Sequence, residues 1–407
     1  MAAPLDESTS DSLLLPEGAR LLHIGPHKTG TTAVQQAFDR ARPDLKRLGV
    51  HYAGRTTQTY DAAVDLLGNP GRLGVPRRRG AWDELVDEVR AAGDRRVVIS
   101  SETFSGAKDD TISRLRDDLG DRLHVVRAVR RLDKLLPSQW QQTVVNGSRT
   151  PYVRWLRDVL ASEDHRFWRR QSYRALTERW ARVVGPESVT VIVVDDNDHR
   201  HILDVFERLT GLPAGTLELS PTVDNRSLTA NEAAVARNFN VALKRNRWSA
   251  RTQFRLMRLG ALRGFKGRPT DPDDVRLAIP SEFAQAVAEV SNREVDALAS
   301  LGVRVVGDLE SLRLDAGAMR TVPASTFTES GLTLAPEAVA DAVVALVERA
   351  LATGKAPLVA KVGDPGETHL ASIRGRDLPP ALVSTWDLNR EVARRGLSRV
   401  GGKEDDR

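Results

Sequence analysis

The sequence predicts an α/β fold: an open, mainly parallel sheet flanked by helices, followed by a mostly helical C-terminal region. Three observations predict it. Four near-continuous apolar runs, at 20–25, 96–101, 122–129 and 188–194, have the character of strands buried on both faces. Stretches with helical periodicity separate them, at 31–48, 81–92, 110–119, 131–146, 172–182 and 199–210. The residues that carry chemistry fall just past the strand ends, which is where open α/β sheets bind ligands.

Taken in order, residues 1–18 read as a polar, flexible leader. The first strand, through Leu21, Leu22, His23 and Ile24, runs into Gly25-Pro26-His27-Lys28-Thr29-Gly30-Thr31-Thr32, and a helix through Val34 and Phe38 runs out. Strand, glycine-bearing loop, helix is how a chain aims unpaired backbone N–H groups at a phosphate or sulfate. Lys28 adds a point charge to that loop, and its threonines add hydroxyl donors or a plain helix cap. Val50-His51-Tyr52 is a short extra strand candidate, and residues 55–80 read as a loop broken by Gly68-Asn69-Pro70-Gly71. The second main strand ends at Ser100-Ser101-Glu102, and the third ends at Arg130 or, if it stops early, at Arg127. Trp140, His23 and His51 are read as packing residues. Asp195, Asp196 and Asp198 are read as a polar turn rather than a metal cluster. Thr229 and Glu232 have the spacing of a capping box. Residues 247–279 form an irregular basic stretch, 280–300 are helical, and apolar periodicity returns at 335–353.

The loop is not a nucleotide-triphosphate loop of the Walker type, which needs Lys directly after its second glycine and then Ser or Thr. Here Thr31 follows Gly30, and Lys28 precedes it by two. The order Pro26-His27-Lys28-Thr29-Gly30-Thr31-Thr32 resembles instead the 5′-phosphosulfate loop of the sulfotransferases that use 3′-phosphoadenosine-5′-phosphosulfate (PAPS). Arg130 at a strand end and Ser138 eight residues on resemble that family's 3′-phosphate signature. Ser100-Ser101-Glu102 and Asn225-Arg226-Ser227-Leu228 resemble segments of its bacterial branch, and the likeness spans roughly 19–245. The Arg-Lys-Gly-x-x-Gly segment of animal cytosolic members has only a loose echo, in Arg263-Gly264-Phe265-Lys266-Gly267-Arg268.

The resemblance implies a P-loop-NTPase-like sheet and in-line transfer of a sulfuryl group from PAPS to a hydroxyl or amine. It implies a cofactor site of His27, Lys28, Thr29, Gly30, Thr31, Thr32, Arg130 and Ser138. Arg226 either closes over the nucleotide or serves the helix at Thr229. Lys28 would stabilise charge on the leaving oxygen. Glu102 is the first candidate for general base and His27 the second; Glu102 is equally an ion-pair partner by type. No metal is implied. The acceptor is a small molecule, glycan or lipid, with 55–80 and 247–279 as the candidate lining of its pocket.

Composition sets the outer limits. A chain of 407 residues divides into the leader, a sulfotransferase-like unit at 19–300, a C-terminal region of unknown role at 301–400, and a charged tail at 401–407. A net charge of +5 spread over that length suits a polyanionic donor and does not argue for nucleic acid. There is no cysteine, which excludes disulfides, thiolate metal sites and cysteine nucleophiles. Acids at Asp6, Glu7, Asp11 and Glu17 argue against a secretory signal, and no apolar stretch is long enough for a membrane span. A cytoplasmic location is expected. Only nine residues are Lys against many Arg, the pattern of a GC-rich bacterial genome. Oligomeric state has no signal. Two rivals stand beside the main reading: a small-molecule kinase with a divergent phosphate loop, and a non-catalytic protein that binds the desulfated donor, PAP.

Overall fold

The computed structural model describes residues 13–69, 77–220, 226–249, 253–254, 256–267, 274–327 and 343. Most of the leader, Asn225, Arg268, the apolar period at 335–353 apart from residue 343, and the charged tail lie outside the described residues.

Six strands build one sheet: β1 (Arg20–His23), β2 (Val50–Tyr52), β3 (Arg96–Ser100), β4 (Leu123–Val129), β5 (Val189–Val193) and, after the short β6 (Ile279–Pro280), β7 (Arg304–Val306). Their order is β2-β3-β1-β4-β5-β7, and every pairing is parallel. β6 pairs separately with β8 (Thr321–Val322). Leu22 of β1 sits between Ile99 and Val125 of its neighbours.

Neighbouring residues on each strand feed opposite cores. Leu22, Ile99, Val125 and Val191 belong to one, and Leu21, Val98, Val126 and Ile192 to the other. With neither face in water, the strands need no polar alternation, hence their continuous apolar runs. The second core is closed by α1 (Thr31–Leu45) and by a later helix, His201–Thr210. Phe38 of α1 stacks on Tyr52 at 5.2 Å and meets Phe206 edge-on at 5.8 Å. Removing that ring would cost about 3–5 kcal/mol. The first core takes α2 (Tyr60–Leu66), α3 (Ala81–Ala91), α4 (Asp109–Leu119), α5 (Leu132–Val145), α6 (Tyr152–Ala161) and α8 (Tyr173–Val184), with α7 (Trp168–Gln171) between the last two. α9 is His201–Thr210 and α10 is Ala230–Arg245.

Four expectations change. The leader is not free up to residue 18: Leu13 and Leu15 are buried, and the Leu15 N–H donates to the Leu209 carbonyl at 3.0 Å. Two alternating leucines are enough to dock an otherwise polar strip. Residues 55–80 contain α2, whose seven residues are too few to show a period beside Gly68 and Pro70. Helix α6 carries a legible i, i+3, i+4, i+7 face in Tyr152, Trp155, Leu156 and Val159. The basic stretch at 247–279 includes a π-helical turn, Met257–Ala261, leading into a helix at Leu262–Gly267. Beyond residue 300 the chain returns to the sheet as β7. The C-terminal helix Ala284–Ala299 packs on α8.

The strand order fixes where a ligand belongs. The chain leaving β1 travels to β2, at one edge. The chain leaving β4 travels to β5, toward the other edge. Connections part between the carboxyl ends of β1 and β4, and a crevice opens at such a switch point. The loop Gly25–Thr32 follows β1, and Arg130 follows β4.

Candidate active site

The loop after β1 is shaped by its own side chains. The Thr29 and Thr31 hydroxyls both donate to the Pro26 carbonyl, at 2.8 and 2.9 Å. These hydroxyls therefore hold the bend rather than standing ready for an anion, a change from the sequence expectation. Gln139 from α5 and Gln171 from α7 donate to the His27 carbonyl at 2.8 and 3.1 Å. Lys28 has φ +72, a left-handed conformation unusual for a residue with a side chain. Gly30, at φ +88, is the N-cap of α1. No side chain caps α1 and no acid occupies its first turn, so the N–H groups of Thr31 and Thr32 await an outside acceptor. The cap is thus glycine, not threonine. A Cβ on Gly30 would come within 3.1 Å of Ile202.

Gly25 brings the loop against β3. Its φ is +82, and a Cβ there would stand 2.9 Å from the Glu102 Cβ. Glu102 opens a short 3-10 turn, Glu102–Gly106, capped by Ser101. Gln35 of α1 donates to Glu102 Oε2 at 3.1 Å, and His27 Nδ1 lies 3.5 Å from Glu102 Oε1. The Glu102 side chain is 11% exposed and that of His27 40%, so the imidazole fronts the pair. Loss of solvent pushes His27 below its ordinary value of 6.5, with Arg170, Lys28 and Arg258 adding to the effect and Glu102 opposing it. His27 is therefore neutral at pH 7 and able to accept a proton. Lys28 is lowered to about 8, first by burial and then by Lys266, Arg258 and Arg130.

Arg130 reaches the loop: its Nη1 donates to the Lys28 carbonyl at 3.3 Å. Its Nε and Nη2 meet Asp196 Oδ1 at 2.8 and 2.6 Å, and the Tyr173 hydroxyl donates to its carbonyl at 2.6 Å. Asp196, read as part of a polar turn, is thus the counter-ion of Arg130. Ser138 is half-buried on the second turn of α5. Arg127 is the wrong arginine for a ligand: it points into the core, 1% exposed, and its Nη1 donates to the Ser172 carbonyl and the Thr177 hydroxyl. Arg226 is committed elsewhere as well. It forks onto Glu232 at 2.8 Å and bonds the Phe265 carbonyl, beside a complete Thr229–Glu232 capping box. Of the two roles open to Arg226, this geometry is the one that serves the helix. His23 is a core residue bonded to Ser100, held at about 4 by burial, and His51 bonds Glu88. Trp140 packs against Tyr152.

Among solved structures, the chain is similar to a crystal structure of a sulfotransferase from Alicyclobacillus acidocaldarius. Identity is 19%, covering 55% of this chain and 93% of that one, with a TM-score of 0.31. No family model matches the sequence, and no curated protein matches it.

A cavity of about 470 Å³ adjoins the loop. His27 lines it, together with Gln139 and Gln171 that hold the His27 carbonyl. Its remaining lining comes from the turn after Glu102, from α5 and its C-cap, and from the stretch that runs from α6 through α7 into α8. None of the described residues of 55–80 or 247–279 lines this cavity. Those lengths of irregular chain suggested a pocket, but the ordered α5–α8 layer forms this one. Sequence reasoning also missed Gln35, Gln139, Gln171, Arg258 and Lys266. Only Lys266 had a signal, in the loose glycine-rich echo around it. No group of three or more metal-ligating side chains occurs among the described residues, and no described helix is long and apolar enough to cross a membrane.

Proposed function

We propose that this chain is a PAPS-dependent sulfotransferase acting on a hydroxyl or amine of a small-molecule, glycan or lipid acceptor. One observation carries the reading. A loop with a lysine ahead of its glycine, an uncapped helix N-terminus and an arginine from the next strand end converge at the switch point of a parallel sheet. The donor set suits a ligand with two separated anionic groups, and the glycine at the cap takes the left-handed φ that starts α1 without a capping side chain. PAPS supplies an activated sulfuryl group when bound.

In this reading Lys28 and the Thr31 and Thr32 N–H groups hold the sulfuryl end, and Lys28 offsets charge that grows on the leaving oxygen. Arg130 and Ser138 hold the 3′-phosphate, with Arg130 giving up part of its contact with Asp196. His27 takes the acceptor's proton, and Glu102 orients the ring and stabilises its charged form. Glu102 thereby acts as a positioning residue rather than as the base itself. Lys266 and Arg258, close enough to Lys28 to lower it, approach the donor site from the C-terminal side.

Thermal unfolding with PAP and with ATP–Mg²⁺ tests the reading. PAP is expected to raise the transition strongly, since a ligand at a hundred times its Kd adds about 2.7 kcal/mol, and ATP–Mg²⁺ is expected to do little. The reverse order favours the kinase. A strong PAP effect without labelled sulfate reaching any acceptor leaves a binding protein.

A further inference from the structure

The cavity beside His27 has a charge pattern that the transfer reaction does not require. Arg166, Arg169, Arg170, Arg179 and Lys108 all line it, and no aspartate or glutamate does. The four arginines form no salt bridge with any described carboxylate, although eighteen arginine–carboxylate pairs occur elsewhere among the described residues. Asp109, whose charge acts on Arg179, pairs with Arg182 at 2.9 Å, and Glu178, next to Arg179 in sequence, pairs with Arg174 at 3.6 Å. Arg179 donates through Nη2 to the Ser105 and Arg169 carbonyls, while its buried Nε has no partner among the described residues. Arg170 lies over Gly106, where a Cβ would stand 3.3 Å from its Nη2. The glycine thus admits the guanidinium to the cavity wall.

Four like charges around one space repel, less so where solvent reaches Arg166, Arg169 and Arg170 than at the half-buried Arg179, and an entering anion relieves that repulsion. Arg170 and Arg179 are both pushed below the usual arginine range, first by burial and then by neighbouring arginines, although Asp109 works against this at Arg179. Planar guanidinium groups match carboxylate, sulfate and phosphate oxygens in a forked geometry. Trp155 and Phe167, ring centres 5.9 Å apart, supply apolar wall. The volume suits a small ligand rather than a chain.

We infer that the acceptor is itself an anion, carrying a carboxylate, sulfate or phosphate ester that Arg166, Arg169, Arg170 and Arg179 hold while its hydroxyl or amine faces His27. This inference rests on the sulfotransferase reading only for the word acceptor; the anion site stands on the cavity.

The test uses matched probes on the full chain, with and without PAP: glucuronate against glucose, 4-hydroxybenzoate against 4-hydroxybenzyl alcohol, and N-acetylglucosamine 6-phosphate against N-acetylglucosamine. Ligand-observed NMR at fixed salt ranks each pair. The anionic member is expected to bind at least about tenfold more tightly, and Arg166→Gln with Arg170→Gln is expected to erase that preference. PAP affinity should be unchanged in the double variant. Arg169→Gln, on an exposed side chain, provides a second variant should the double one unfold. Equal binding within the pairs, no binding by any probe, or a preference that survives the substitutions overturns the inference. If the preference holds but PAP does not bind, the anion site stands and the sulfuryl-transfer reading falls.

Discussion

The Gly25–Thr32 loop and the arginine-lined cavity share His27, yet they handle charge in opposite ways. Around the loop, two charges are already answered by the protein, Arg130 by Asp196 and Glu102 by Gln35 and His27, while Lys28 stands among Lys266, Arg258 and Arg130. Two of the loop's threonines, Thr29 and Thr31, are spent on its own backbone. In the cavity, four arginines line one space with no carboxylate among the lining residues. The first region is a preset cradle in which backbone groups act together with Lys28 and Arg130. The second is a set of side chains whose balance is completed from outside. A preset cradle lowers the reorganisation needed at the reacting centre. An unbalanced pocket selects its occupant by charge.

If that division is right, the largest effect belongs to Lys28. Lys28→Ala is expected to lower the rate of sulfuryl transfer about a thousandfold while changing PAP affinity far less, because the charge it answers is fullest in the transition state. Single-turnover transfer of labelled sulfate measures the first quantity and calorimetry the second. An equal loss in both would make Lys28 a simple binding residue and dissolve the contrast with the cavity.

Next come the two residues where the regions join. His27→Gln is expected to cost about a hundredfold in kcat, the ordinary range for a lost general base. Glu102→Gln should cost roughly tenfold if it only orients and supports the ring. The reverse ranking would return the base to Glu102. The pH profile of kcat/KM separates the roles further. His27 must be neutral to act, and its depressed value puts the acid limb below 6.5. Lys28 must be charged, so activity falls as pH rises through about 8. Glu102→Gln removes the group that opposes the depression, so the acid limb should move lower still.

The contrast also explains what the sequence disclosed. A backbone cradle is built from contiguous residues, so Lys28, Gly30 and the helix that follows are legible as a string. The strand ends were legible too, because strands buried on both faces write continuous apolar runs. That placed Glu102 and Arg130 beside the loop without a structure. The cavity is assembled from four separate segments, and Arg170 is one arginine among dozens until α7 folds beside Gly106. The partner of Arg130 was hidden for a related reason. Asp196 lies sixty-six residues away and shares a turn with Asp195 and Asp198, and only the sheet register selects it. Arg127 shows the converse, since periodicity alone cannot separate an arginine buried within a strand from one just past its end.

The smallest effect concerns that pair. Asp196 holds two nitrogens of Arg130, leaving Nη1 on the Lys28 carbonyl. A phosphate at Arg130 must compete with this carboxylate, so Asp196→Asn is expected to tighten PAP a few-fold. The gain stays modest because the pair is only partly buried and such pairs are worth about 1 kcal/mol or less. Asn keeps the shape and one acceptor oxygen, so Arg130 remains near the loop. A titration of PAP against both proteins at two salt concentrations decides the matter. If the variant binds PAP more weakly at both, Asp196 is needed to aim Arg130, and the cradle is held by charge pairing as much as by its backbone. If it binds more tightly, and the gain shrinks as salt rises, the carboxylate is a placeholder for the phosphate. The loop would then resemble the cavity at this one point, where an outside anion completes a charge that the protein only lends.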